Sequence, residues 1–194
     1  MDKYGSVTQY GKKLDPEYYV WDSTKRIFST TENNLVVDYW GIDEITFITG
    51  DNCTFDTCDD CTFKTGFNCT FKTGHGCTFK TGSGCTFDTG FDCTFDTGAY
   101  CTFKTGFNCT FKTGHGCTFD TGDDCTFKTG EKCVVVRRDI FEVITLTGES
   151  NHIKLNDYPK AGYVHINEVH TIIVDGEEVE LSNDSYEIVK KLMK

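Results

Sequence analysis

Apolar and polar positions alternate with a period of two inside short runs, and the runs themselves recur every eight residues. From Cys53 to Lys132, ten copies of Cys-Thr-Phe-Asp/Lys-Thr-Gly-x-x follow one another without insertion or deletion. Successive side chains on a strand point oppositely, so Cys and Phe share one side while the first Thr and the Asp or Lys share the other. Cys and Phe take the inside; the second Thr and the Gly end the strand, and two variable residues turn the corner. A unit this short buries its apolar side only against the units above and below it, which predicts an all-β solenoid, or β-helix.

The expected core is a column of Phe55, Phe63, Phe71, Phe79, Phe87, Phe95, Phe103, Phe111, Phe119 and Phe127, each contributing about 1.5–3 kcal/mol on burial. It is accompanied by Cys61, Cys69, Cys77, Cys85, Cys93, Cys101, Cys109, Cys117 and Cys125 at the first position of the octad. Degenerate copies extend the pattern. Ile45–Asn52 has Ile for Cys, Val37–Glu44 keeps Val37 and Tyr39 facing inward, and Cys133–Ile140 puts Val135 where Phe stood. The expected division is an N-terminal cap over 1–36, the solenoid over 37–140 and a C-terminal β-rich module over 141–194.

Charge at the fourth position bears on how many octads make one coil, because like charges stacked about 4.8 Å apart repel. With sixteen residues per coil, one face reads Asp56, Lys72, Asp88, Lys104, Asp120, alternating throughout, and the other reads Lys64, Lys80, Asp96, Lys112, Lys128. A 24-residue coil would stack Lys80, Lys104 and Lys128. Sixteen is the expectation and 24 the alternative.

The caps carry their own signals. Trp21 and the tyrosines of the first segment, with Trp40, are expected to shield Phe47 and the first coil's open edge. Thr171–Leu181 reads as a hairpin turning at Asp175-Gly176. Asp184 and Glu187 then have capping-box spacing for a short helix that ends in lysines and buries Ile188, Val189 and Leu192. Arg137 and Arg138 at the junction are placed to pair with the acids of that tail, and its compactness allows a homodimer through the C-terminal module.

Composition narrows the function classes. The net charge of −11 is spread along the chain: nine acids and five bases over 1–52, ten and seven over 53–132, eleven and seven over 133–194. No segment is basic, so direct binding to nucleic-acid phosphates is not expected, and neither is a membrane surface. The first residues have no apolar run of the signal-peptide kind and no stretch reaches the length of a membrane span. The expected compartment is therefore the cytoplasm, that of an infected host cell if the protein is viral. Eleven of the twelve cysteines fall at one phase of the octad, as reduced structural thiols would.

CTFKT and CTFDT resemble the pentapeptide-repeat family, in which a small residue and a Leu or Phe two places on point into a right-handed β-helix. The added Gly-x-x distinguishes this coil from that family's four-sided one. The octads are also similar to those of predicted bacteriophage and large-virus proteins, over about half the chain, which implies a phage or viral origin. Some pentapeptide-repeat proteins mimic DNA and bind gyrase through a strongly acidic surface, whereas residues 53–132 hold ten acids against seven bases.

Specificity on such a scaffold is expected at the corners, where the sequence varies. At sixteen per coil one corner stacks Asp59, His75, Phe91, Phe107 and Asp123, an aromatic stripe flanked by acids that could hold a partner's apolar edge or a ring. A C-terminal segment folded over the stripe is the other reading. The opposite corner stacks Phe67, Ser83, Ala99, His115 and Glu131, with Tyr100 beside Ala99. Cys58-Asp59-Asp60-Cys61 is a lone CxxC with no second pair, read as drift of a turn glycine and not as a metal site. The outward threonines share their faces with Asp and Lys, unlike the paired threonine columns of ice-binding solenoids.

His75 and His115 fall on opposite edges, and His152, His165 and His170 have no nucleophile near them in sequence, so no catalysis, metal or cofactor is expected. The resulting expectation is a non-enzymatic protein that binds and blocks a host macromolecule, with a host protein as partner. The alternatives are a self-assembling structural component and a small-ligand sponge.

Overall fold

The computed structural model describes residues 5–39, 43–166, 169–174 and 177–192. Trp40 and the Asp175-Gly176 turn lie outside them, as do the side chains of Asp184 and Glu187. The chain divides into two compact units, Met1–Val164 and His165–Lys194. The first is a β-solenoid of about seven turns.

Odd and even octads feed two different ten-stranded sheets. Thr54 pairs with Thr70, Thr86 with Thr70 and Thr102, and Thr118 with Thr102; on the other sheet Thr62, Thr78, Thr94, Thr110 and Thr126 succeed one another, all in parallel. Every step is sixteen residues, so the coil has two sides and the 24-residue alternative is excluded. The ladder is drawn tight by a recurring bond in which the N–H of Thr70 donates to Cys53 O at 2.9 Å, that of Thr86 to Cys69 O at 2.9 Å, and so on along the chain.

The core is thin and aromatic. Within a sheet the Phe rings stack in register, as for Phe79 and Phe95 at 4.9 Å and 3°, and between sheets they meet edge-on, as for Phe87 and Phe95 at 5.2 Å and 76°. Each interior ring thus has two stacked and two edge-on neighbours, the two arrangements favoured by the aromatic quadrupole. All ten repeat phenylalanines and the eleven position-one cysteines are buried.

Position one is Cys rather than Ala for a reason visible along both ladders. The Cys69 thiol donates to Gly50 O at 3.7 Å, Cys85 to Gly66 O at 3.7 Å and Cys93 to Gly74 O at 3.7 Å, each adding a second donor to a carbonyl of the preceding coil that already accepts a glycine N–H. All twelve cysteines are free thiols. Burial pushes the Cys61 thiol up to about 11.

Two local features depart from the octad reading. Leu35–Tyr39 pairs in parallel with Thr54–Thr57 so that Val37 faces Phe55 and Tyr39 faces Thr57. Val37 therefore stands in the Phe position and not the Cys position, and the step from Val36 to Thr54 is eighteen residues. Leu35, Val37 and Tyr39 are all buried. Because alternation has a period of two, a slip of two residues leaves the same side chains inside, and sequence pattern alone does not reveal it. Upstream, Ile27–Ser29 already runs parallel to Thr46–Ile48, with Phe28 opposite Phe47.

Antiparallel strands close the ends of both sheets. Gly5–Gln9 lies on Leu35–Tyr39 and Val20–Asp22 on Ile27–Ser29; at the far end Glu142–Leu146 lies on Cys133–Arg137 and Asn151–Leu155 on Thr126–Thr129. Phe47 is covered by Phe28 and Tyr39, each at 6.2 Å, while Trp21 packs on Tyr39 at 6.4 Å. Arg137, fully buried, donates to Asp139 Oδ2 at 2.5 Å and Lys160 O at 3.0 Å, with Glu142 at 3.8 Å. Arg138 instead reaches back to Asp120 at 2.8 Å.

The second unit pairs Val169–Val174 with Glu177–Ser182 as an antiparallel hairpin, with Ile172 opposite Val179. The helix Asn183–Leu192 lies against both strands. Contrary to the expectation that the helix buries them, Ile188 and Leu192 are exposed, as is Ile173, because the hairpin and one short helix offer too little surface to cover them. Among the described residues no helix is long and apolar enough to cross a membrane.

Candidate functional site: the two corner edges

Corners are built from positions six, seven and eight of the octad, and stacking constrains each differently. At position six, a Cβ on Gly98 would lie 2.7 Å from Ser83 N and 2.9 Å from Ser83 Cα, and one on Gly114 would lie 2.8 Å from Ala99 N. The coil beneath leaves room for a hydrogen only. Cys58 occupies this position in the first octad.

Position eight is left-handed throughout. Asn52, Asp60, Asn68, Asp92, Tyr100, Asn108, Asp124 and Lys132 all have φ between 54° and 60°, and Gly76, Gly84 and Gly116 take the same slot. Asn, Asp and Gly tolerate this region best; Tyr100 and Lys132 are the departures. From Asn52 to Gly116 the N–H of the position-eight residue donates to the position-seven carbonyl one coil further on, as from Asn52 to Phe67 O at 2.9 Å and from Tyr100 to His115 O at 2.9 Å.

Position seven is the one free to vary, and its side chain often binds the next coil. Asp51 Oδ1 accepts from Phe67 N at 2.8 Å, Asp59 Oδ1 from His75 N at 2.8 Å, and Ser83 Oγ from Ala99 N at 3.0 Å. His75 Nδ1 accepts from Phe91 N at 3.4 Å, which leaves the proton of the neutral ring on Nε2.

On the edge carrying Asp59, His75, Phe91, Phe107 and Asp123, the structure brings these five into one column. The His75 and Phe91 rings stack at 3.8 Å and 19°, and Phe91 and Phe107 at 4.9 Å and 7°. His75 is exposed, Phe91 half-buried and Phe107 48% exposed. From the segment after the repeats, Tyr158 N donates to Asp123 Oδ2 at 3.3 Å at the column's end. The stripe is a stiff row of rings, because each ring is fixed by the rung spacing and by a backbone that cannot part without losing ladder bonds.

The opposite edge is less continuous. Phe67 is half-exposed, Ser83 and Ala99 are small, and Tyr100 meets His115 edge-on at 4.9 Å with its hydroxyl 3.1 Å from His115 Nε2. His75 and His115 stand on different edges. Among the described residues no group of three His, Cys, Asp or Glu side chains converges as a metal site would require.

Two features of the corners were not drawn from the sequence: the left-handed position eight and the side-chain acceptors at position seven. Their signals are present in it, as the recurrence of Asn, Asp and Gly at one phase and of Asp, Ser and His at the phase before. No family model, curated protein or solved structure matches the chain.

Proposed function

We propose that this protein is a non-enzymatic interaction module of phage or viral origin that binds and blocks a host macromolecule, most directly a host protein, in the host cytoplasm. The observation that carries this reading is the open row of stacked rings, His75, Phe91 and Phe107, on a scaffold whose backbone hydrogen bonds hold them at rung spacing. Aromatic side chains presented rigidly lose little conformational entropy on binding, which is what makes them effective anchors. The origin rests on the octad's resemblance to repeats of phage and viral proteins.

The test is affinity capture from host lysate with wild type and with a His75→Ser/Phe91→Ser/Phe107→Ser variant of matched thermal stability. One stoichiometric host protein retained by the wild type and lost with the variant supports the reading. Recovery of the same proteins on both baits overturns it.

A structural, self-assembling role is the second reading, favoured by the exposed Ile173, Ile188 and Leu192 of the thirty-residue second unit. A unit below about 40 residues rarely buries enough surface to stand alone. An oligomer that persists on dilution in light scattering would favour it.

A further inference from the structure

The two sheet faces are built from the same octad and the same geometry, so each serves as a control for the other. Along the repeats on the face of Thr54–Thr57 each fourth-position acid has a base: Lys72 reaches Asp56 at 3.0 Å, Lys104 reaches Asp88 at 3.1 Å and Arg138 reaches Asp120 at 2.8 Å; ahead of the repeats, Asp38 lies opposite Asp56. On the other face Lys64 stacks directly on Lys80, and Lys112 on Lys128. Only Asp96 interrupts them, paired with Lys112 at 3.1 Å. Lys64 and Lys80 are exposed and form no ion pair among the described residues.

Stacking like charges in register is unfavourable, and within the repeats the chain avoids it on one face by alternating. Its persistence on the other face, in a chain of net charge −11, marks a surface for an anionic partner. The same charge balance is invisible when acids and bases are counted by segment, because a face is assembled from alternate octads.

The shape of the strip selects among anions. Its strands are three to four residues long, or about 10–13 Å. It is bordered at the corners by Asp60 and Asp92 on one edge and Asp51 on the other, while Asp124 and Glu131 are paired with Lys154 and Lys132. An α-helix about 10–12 Å across fits between these borders, whereas a wider polyphosphate duplex would press its charge against the corner carboxylates. The spacing agrees as well. Charges along the strip repeat every ~4.8 Å, and one side of an α-helix presents residues i, i+3, i+7, i+10 and i+14 at intervals averaging about 5 Å.

We propose that this face docks an acidic α-helix of a protein partner along the solenoid axis. Carboxylates at i, i+3 and i+10 lie over Lys64, Lys80 and Lys112, and a basic residue at i+7 lies over Asp96. The proposal deepens the interaction-module reading and rests on it for the partner's being a protein, but it uses a face and not the ring stripe.

The test uses the full chain and a synthetic alanine-based helical peptide of about twenty residues bearing that pattern of Glu and Lys, with a peptide of the same composition and scrambled positions. Binding is followed by fluorescence anisotropy at low and at moderate salt. The patterned peptide is expected to bind at least about 10-fold more tightly than the scrambled one and to weaken about 5-fold or more as screening shortens. Lys64→Glu/Lys80→Glu should weaken it at least about 20-fold, Lys64→Gln/Lys80→Gln by an intermediate factor, and Lys72→Gln/Lys104→Gln on the opposite face by less than about 2-fold. The glutamine pair keeps the test valid if charge reversal disturbs folding. Absence of binding, equal binding of the scrambled peptide, indifference to the Lys64 and Lys80 changes, or displacement of the peptide by a lower concentration of an oligonucleotide of equal charge each overturns the proposal. The measurement is made with purified components, so it fails or succeeds independently of host-lysate capture and of the His75, Phe91 and Phe107 variant.

Discussion

Replacing Gly98 with Ala tests the claim that position six is glycine because stacked corners touch there. The added Cβ would lie 2.3 Å from Ser83 Oγ, 2.7 Å from Ser83 N and 2.9 Å from Ser83 Cα. Ordinary contact needs about 3.4 Å or more, so the corner must open by roughly half an ångström. Opening stretches the Gly98 N to Gly82 O bond, now 3.2 Å, and the Ala99 N to Ser83 Oγ bond, now 3.0 Å. Overpacking of this kind costs about 1–3 kcal/mol and each weakened hydrogen bond up to about 1 kcal/mol, giving about 2–4 kcal/mol in all. For a chain of this size that is a fall in Tm of roughly 5–15 °C, read by circular dichroism melting.

Gly66→Ala supplies the contrast, because there the nearest atom is the Asp51 side chain, with Asp51 N at 3.2 Å. Asp51→Ala should rescue much of the Gly66→Ala loss, whereas Ser83→Gly should rescue little of the Gly98→Ala loss, since the clash with backbone remains. A Gly98→Ala protein as stable as wild type, or one fully rescued by Ser83→Gly, would refute the steric account.

The thiols give two further expectations. Alkylation of the native protein at mild alkaline pH should modify Cys58, the half-buried one, and leave the eleven buried cysteines until the chain unfolds; mass spectrometry counts the adducts. Cys61 is raised by burial from 9.0 to about 11. Its contribution to stability is therefore complete below pH ~9 and lost as pH rises from there through ~11, so the difference in urea midpoint between wild type and Cys61→Ala should shift against the wild type across that window. Arg137→Ala strands Asp139 and Glu142 beside a buried void and should cost about 3–5 kcal/mol in urea unfolding; a loss under about 1 kcal/mol would show that the cluster is solvated.

Much of this structure could be read from the chain because the octad repeats its own evidence. The inward Cys and Phe, the sixteen-residue coil and the five-residue edge column from Asp59 to Asp123 all follow from alternation plus one charge argument. The slip at Leu35–Tyr39 did not, since Leu35-Val36-Val37 and Val37-Asp38-Tyr39 satisfy the same alternation and only pairing distinguishes them. Glycine at position six looked like turn punctuation; its cause is a contact fifteen residues away, which no local pattern encodes. The face with Lys64 and Lys80 was visible as a charge column, but its meaning depended on knowing that the repeat acids of the opposite face each meet a base.

The central claim is that two octads make one coil, because that period decides which side chains share a face and which share an edge. The most direct measurement compares thermal unfolding of two deletions. Removing residues 85–100, one full coil, preserves the register of every downstream octad and should leave a cooperatively folding, somewhat less stable solenoid. Removing residues 85–92 sends every later octad to the opposite sheet and leaves Cys133–Arg137 and Glu142–Leu146 on the side built for Asn151–Leu155, so this shorter deletion should be the more damaging. Equal stability of the two, or folding only when 24 residues are removed, would contradict the account.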